Sequence, residues 1–218
     1  MLRRGRGTSA QQRAYENLSE KFIIPFEEKI IDFPVLFGND MPVTVEIGFG
    51  MGDATAVIAG ENPDKNYFGI EVHKPGIGKL LLEIEKRSLT NIRIIEHDAV
   101  EVFEKMIPQS SLDGIHLFFP DPWPKKRHYK RRLVKRPFTG ILASKLKPDA
   151  YLYMVTDWEN YAVWALEELE ATGELINTVS DEGFALPLQW RPQTGFEKKG
   201  LAKKHKVREL LFKKVNSV

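Results

Sequence analysis

The chain has 218 residues, 32 of them lysine or arginine against 30 aspartate or glutamate, and no cysteine. That length accommodates a sizeable core, and the lack of cysteine excludes a disulfide scaffold, a thiolate metal centre and cysteine nucleophile chemistry. No apolar run approaches the ~20 residues of a membrane span, and no apolar segment follows the basic start, so a soluble, cytoplasmic protein is expected.

The net charge of +2 conceals a segregation. Residues 1–15, 125–136 and 198–214 together hold 20 basic residues and one acid, Glu209, a balance of +19, while the other 174 residues carry −17. An acidic body with three basic patches is suited to docking a polyanion in one orientation.

In chain order, residues 1–40 read as a basic arm, flexible at Gly5 and Gly7, and a loop-rich lead-in holding Pro25 and Pro34. Residues 41–218 read as the main domain. Strands are expected at 43–47, 67–72, 92–95, 112–119, 151–156, 175–179 and 207–215, seven in all. Helical patterns fall between them at 54–59, 78–87, 100–106, 138–146 and 158–171. Strands alternating with helices indicate βαβ units and a doubly wound, mostly parallel α/β sheet. The continuous apolar character of the strands fits burial on both faces.

The first of these strands runs into Glu46-Ile47-Gly48-Phe49-Gly50-Met51-Gly52. Glycines at a strand-to-helix turn let backbone approach a ligand, and open α/β sheets bind ligands at the carboxyl ends of their strands. The spacing departs from the G-x-G-x-x-G of a dinucleotide pyrophosphate site. Glu71 ends the second strand, 19 residues after Gly52, where a ribose-binding acid belongs. Asp98 follows the third strand and can accept from an adenine amine. Glu46 would repel a diphosphate and favour a cationic sulfonium or an amino group. Taken singly, strand-end acids can also be solvated or cap the next helix. Together they favour S-adenosyl-L-methionine over a nicotinamide cofactor.

The fourth strand leads into Phe118-Phe119-Pro120-Asp121-Pro122-Trp123-Pro124, then a run of eight basic residues within 125–136 without an acid. Three prolines stiffen the loop and cannot continue a strand or helix, which sets Asp121 and Trp123 beyond the sheet edge. The following basic and aromatic residues suit phosphate contact and stacking.

These segments, with Gly69-Ile70-Glu71-Val72-His73, Thr156-Asp157-Trp158 and Arg191-Pro192-Gln193-Thr194-Gly195-Phe196-Glu197, resemble the bacterial tRNA (guanine-N7-)-methyltransferases. The resemblance runs from about Arg3 to the C-terminus, and the segment from Phe119 to His128 is its most specific part. It implies a class I methyltransferase (Rossmann-like) sheet of seven strands, the last antiparallel, and methyl transfer from S-adenosyl-L-methionine to N7 of guanosine 46 in the tRNA variable loop. It implies that Glu46, Gly48, Gly50, Glu71, Asp98 and Asp121 bind the cofactor, Asp121 also being catalytic. Lys125, Asp157, Thr194, Gly195, Phe196 and Glu197 would contact the substrate, and Arg127, His128, Tyr129, Lys130, Arg131 and Arg132 the RNA. Many relatives carry a basic residue at the position of Gly195, which leaves only backbone to make a contact there.

Guanine N7 carries a lone pair and no proton, so its attack on a sulfonium methyl needs no base. Useful groups are carboxylates that hold the base in line and favour the cationic product. Asp121 is expected to position and stabilise, with Asp157 or Glu197 accepting from guanine N1–H and the exocyclic amine. Asp157 could instead cap the following helix, and Glu197 could be a solvated loop acid. The histidines show no metal-ligand spacing, and no metal is expected. Trp158, Tyr161 and Trp164 lie at helical spacing and read as packing residues. Adenine N6 methylation and a non-catalytic RNA-binding module are the competing readings. The sequence leaves monomer and homodimer undecided.

Overall fold

The computed structural model describes residues 7–179, 183–193, 197 and 206–215. They fall in two compact units, residues 1–108 with 190–192, and residues 109–189 with 193–218.

The first unit opens with α1 (Ser9–Phe22) and β1 (Ile23–Ile24), then α2 (Phe33–Phe37) and β2 (Val43–Ile47). It continues through α3 (Asp53–Glu61), β3 (Asn66–Ile70), α4 (Lys74–Arg87), β4 (Ile92–Ile95) and α5 (Ala99–Lys105). Its strands lie in the order β1-β4-β3-β2, each pair parallel. Every residue of β2 and β3 is buried, as strands covered on both faces must be. Phe68, Ile77, Leu80, Leu81, Ile94 and Phe103 form the core between sheet and helices.

The N-terminal stretch expected as an arm is helical from Ser9 onward. A reciprocal cap starts the helix: the Gln11 backbone N–H donates to Thr8 Oγ1 at 3.3 Å, and the Thr8 N–H donates to Gln11 Oε1 at 2.8 Å. Two otherwise unpaired donors are thereby satisfied. α1 packs on α4, and the Tyr15 hydroxyl donates to Glu96 at 2.6 Å.

The second unit contains β5 (Leu112–Phe118), a 3₁₀ segment (Lys126–Arg131), α6 (Phe138–Lys145), β6 (Leu146–Thr156), α7 (Glu159–Glu170), β7 (Leu175–Asn177) and β8 (Arg208–Lys214). Its strand order is β5-β6-β8-β7. β5 and β6 are parallel, and β8 runs antiparallel to both of its neighbours. Leu117, Leu142, Leu152, Met154, Leu210 and Phe212 fill this core.

The architecture is therefore the expected α/β class, mostly parallel with an antiparallel final strand. The described residues hold eight strands rather than seven. The additional one is β1, two residues paired as Ile23↔Ile94 and Ile24↔Ile95 within the supposed lead-in. β6 begins at Leu146, five residues before the expected start, and accommodates Asp149 at φ 64°. Its pairing with β5 shifts register between Leu112 and Gly114, which breaks the alternation that would have shown it. α4 starts at Lys74, with Pro75 in its first turn, where a missing N–H costs little.

Candidate functional site

In the first unit the parallel register aligns three strand ends. Ile47 pairs with Ile70, and Ile70 with Ile95, so the glycine turn, Glu71 and Asp98 leave the sheet at one edge. Gly48, Gly50 and Gly52 all have positive φ. A Cβ at Gly52, where φ is +72°, would lie 2.7 Å from the Leu80 Cβ. At Gly76, in the first turn of α4, a Cβ would sit 1.9 Å from the Gly50 carbonyl oxygen. The turn is thus seated directly on the helix that follows Glu71, and a side chain at either position would displace it.

Glu71 ties these parts together. Its Oε2 accepts from the Gly50 N–H at 2.8 Å, and its Oε1 accepts from the N–H groups of Val72 and His73 at 2.7 and 3.0 Å. Oε1 is thereby filled by two donors, and Oε2 retains a lone pair for a hydroxyl donor. Asp98 takes the N-cap of α5, with Oδ1 accepting from Val100 and Glu101 at 2.9 and 3.4 Å. The capping and ligand readings of Asp98 are compatible, because the residue is exposed and Oδ2 is available.

Glu46 is buried at 4% exposure, and its Oε2 accepts from the Thr55 hydroxyl at 2.8 Å. Burial pushes its carboxyl up to about 7, against the lowering effect of the Thr55 hydrogen bond and with a further push from the Glu71 charge. A carboxylate so short of solvent gains more than a surface one from a cation placed beside it. These residues fit S-adenosyl-L-methionine: a glycine cradle, a hydroxyl-accepting Glu71, a free oxygen on Asp98, and an underpaired carboxyl at Glu46.

In the second unit Phe118 pairs with Val155, so the loop of Asp121 and the end of β6 at Asp157 lie at the same edge. Asp121 is exposed. The backbone around it is strained, with Phe119 at φ 53° and Trp123 at φ 43°, values that a side chain disfavours. Lys125, Lys126, Arg127, Lys130 and Arg131 are exposed on the 3₁₀ segment and its approach. The Arg131 guanidinium lies 4.9 Å from the Trp123 ring centroid, and His128 meets Trp123 edge-on at 5.7 Å. Desolvation, with the positive charges of Arg131, Arg127, Lys125 and Lys130, holds the His128 imidazole below its ordinary pKa.

Arg132 departs from the expectation of an RNA-facing residue. It is 1% exposed, enclosed by Tyr129, Tyr161 and Trp164 with ring centroids 3.6, 5.1 and 5.2 Å from its guanidinium carbon. Tyr129 is itself tethered, its hydroxyl donating to Asn160 Oδ1 at 2.8 Å.

Asp157 borders an open concavity of about 700 Å³, shared with Trp158, Glu159, Asn160, Val163, Lys206 and Arg208. The N-cap of α7 is Trp158, without a side-chain cap bond, and the Trp158 N–H donates to Thr156 Oγ1 at 3.2 Å. Asp157 therefore precedes the cap and does not occupy it. Tyr161 and Trp164 are packing residues as expected, the latter donating from Nε1 to the Val134 carbonyl at 2.9 Å. Trp158 is not one of them, being 37% exposed in the concavity. Lys206 and Arg208 at this surface belong to the basic patch expected over residues 198–214, though neither was singled out, and Asn160 was not expected. The basic C-terminal run was a signal for the two cations, and nothing marked Asn160. Glu197 is buried at 6% exposure, unlike a solvated loop acid. Thr194, Gly195 and Phe196 lie outside the described residues. Among the described residues no group of three or more histidine, aspartate and glutamate side chains could hold a metal. No helix among them is long and apolar enough to cross a membrane.

Comparison with solved structures gives the fold. The 16S rRNA methyltransferase KamB matches with a TM-score of 0.62 at 15% identity, over 86% of this chain and 95% of that one. At that identity the likeness establishes the fold, that of a class I methyltransferase. A family model described as "Putative methyltransferase" matches residues 40–210. The tRNA (guanine-N(7)-)-methyltransferase of Nitrosospira multiformis is 47% identical over 98% of this chain and 93% of its own length. That of Paraburkholderia xenovorans is 50% identical over 98% of this chain and 82% of its own. The chain belongs to the tRNA (guanine-N(7)-)-methyltransferase family.

Proposed function

We propose that this protein is a cytoplasmic enzyme that transfers a methyl group from S-adenosyl-L-methionine to N7 of guanosine 46 in tRNA, forming N7-methylguanosine. The observation that carries the reading is the buried Glu46 carboxyl beside a positive-φ glycine turn whose Gly50 amide is bound by Glu71. Such a site suits a cation with a ribose and disfavours a diphosphate.

When bound, the cofactor supplies an electrophilic methyl group on a positively charged sulfur. Glu71 would accept from a ribose hydroxyl, Asp98 from the adenine amine, and Glu46 would offset the positive charge. Asp121 holds the guanine in line and favours the cationic ring as it forms. Asp157 or Glu197 accepts from the N1–H and exocyclic amine, and Lys125 contacts the substrate. The segment Thr194–Glu197 contributes to this grip. Arg127, His128, Tyr129, Lys130 and Arg131 engage the tRNA backbone and bases.

Because phosphate contacts fall to Lys and Arg, the Michaelis constant for tRNA is expected to rise steeply with salt while that for S-adenosyl-L-methionine changes little. Steady-state titrations at 50 and 200 mM salt check this, and equal slopes for both substrates would contradict it. The product test is incubation of pure protein with labelled methyl donor and unmodified tRNA, followed by digestion to nucleosides. Label in N7-methylguanosine is expected; label in N6-methyladenosine, or none, would reject the proposal.

A further inference from the structure

We infer that Arg132 is a positioning residue that sets the pose of the Asp121 loop, and not one of the RNA contacts that its place in a basic run suggests. Its Nε–H donates to the Pro122 carbonyl at 3.0 Å, and Nη2 donates to Asn160 Oδ1 at 2.6 Å. Nη1 is buried without a hydrogen-bond partner. The charge is thus held by two neutral acceptors and three aromatic faces, an arrangement that uses cation–π attraction in place of a carboxylate.

The loop needs such a clamp. Pro120, Pro122 and Pro124 have no N–H to donate, and positive φ at Phe119 and Trp123 opposes the observed course. Strained backbone persists only where its surroundings over-determine it. Arg132 supplies that restraint one residue beyond Asp121 and fastens it to α7 through Asn160. A planar fork can hold two acceptors in fixed directions, which an ammonium on a flexible stem cannot. Since Arg127, Lys130 and Arg131 project from the same short segment, tRNA held by those cations is mechanically continuous with Asp121.

This inference rests on the proposed methyl transfer. Its test compares Arg132→Lys with Arg127→Ala, in single turnover and by tRNA binding across salt. Arg132→Lys is expected to lower the rate at saturating substrates by about 10²-fold, the scale of a misplacement near 1 Å. Its tRNA affinity and salt slope should stay at the wild-type values. Arg127→Ala should weaken tRNA binding and reduce the salt slope by about one, as a lost phosphate contact does. The Trp123 amide signal, followed by NMR and hydrogen exchange, reports the loop independently of activity and should broaden or exchange faster in Arg132→Lys. Asn160→Ala removes one of the two anchors from an exposed position, and should show the same pattern in milder form if Arg132→Lys fails to fold. An Arg132→Lys protein with normal rate and an unchanged Trp123 signal, or with the salt response of Arg127→Ala, overturns the inference. A wild-type protein that makes no N7-methylguanosine would instead refute the methyl-transfer reading, and the Trp123 signal would still decide the clamp.

Discussion

Replacement of Asp121 by alanine is expected to slow single-turnover methyl transfer by about 10²- to 10³-fold, the usual scale for losing one preorganised electrostatic contact to a transition state. Little stability should be lost with it, because the carboxylate is exposed and surface substitutions away from caps and core seldom exceed about 0.5 kcal/mol. Asp121→Asn separates the two parts of its role. It keeps a hydrogen-bonding oxygen and loses the negative charge, so a defect near that of alanine would assign the effect to charge. Guanine N7 presents a lone pair without deprotonation, so the wild-type rate at saturating substrates should be nearly flat from pH 6 to 9. A log-rate slope of one in that window would make Asp121 a general base and would contradict the electrostatic role.

The second large effect concerns Glu46. Replacement by glutamine should stabilise the free protein above neutral pH and weaken its hold on S-adenosyl-L-methionine. A glutamate in the unfolded chain titrates near 4.5, whereas folded Glu46 keeps its proton up to about 7. Between those values the folded state binds the additional proton. The stability tied to neutral Glu46 is therefore complete below pH 4.5 and is lost as the pH rises through 7. That interval corresponds to at most about 3 kcal/mol. Glutamine retains an acceptor for Thr55 and never ionises, so its benefit should be largest at pH 8 and vanish near pH 5. The cofactor site needs the opposite state. Loss of a charge-assisted contact should weaken binding by about 10- to 100-fold, and wild-type affinity should itself decline below pH 7. Thermal melts and calorimetry at pH 5, 6, 7 and 8 measure both quantities. A glutamine variant that binds S-adenosyl-L-methionine as tightly as wild type at pH 8 would remove Glu46 from the charge-balancing role.

Much of this arrangement is legible in the residues, and the exceptions have physical reasons. β2, β3 and β4 stand out because strands largely buried on both faces read as mainly apolar, β-branched or aromatic stretches, and Glu46, Glu71 and Asp98 lie at or just past their carboxyl ends. α1 was overlooked because its helix is mostly polar, with only Ala14 and Phe22 buried. The Thr8-to-Gln11 spacing was the sign that could have revealed it. β1 is too short to carry a period. The Glu71–Gly50 bond joins residues 21 apart and needs the parallel register before it can be seen. Arg132 was misread for a related reason. In a run of like charges nothing local singles out one cation for burial, and the rings that enclose it include two from a helix some thirty residues later. Trp158 was misassigned because helical spacing with Tyr161 and Trp164 implies a shared face, whereas it sits at the cap and opens into the concavity.

The outermost strands carry one more consequence. β1, at the rim of the first unit's sheet, has two residues and is followed by Pro25, and β7, at the rim of the second, has three. A long flat rim with free amides and carbonyls would be a template for pairing with another chain. Here each rim offers fewer positions than the 6- or 7-residue stretch that cross-β stacking uses. The interior strands, which hold the aggregation-prone apolar runs, are shielded by partners too brief to recruit their own. An enzyme that must present basic surface to a polyanion can thus stay dispersed without relying on net charge, which at +2 would do little to keep copies apart.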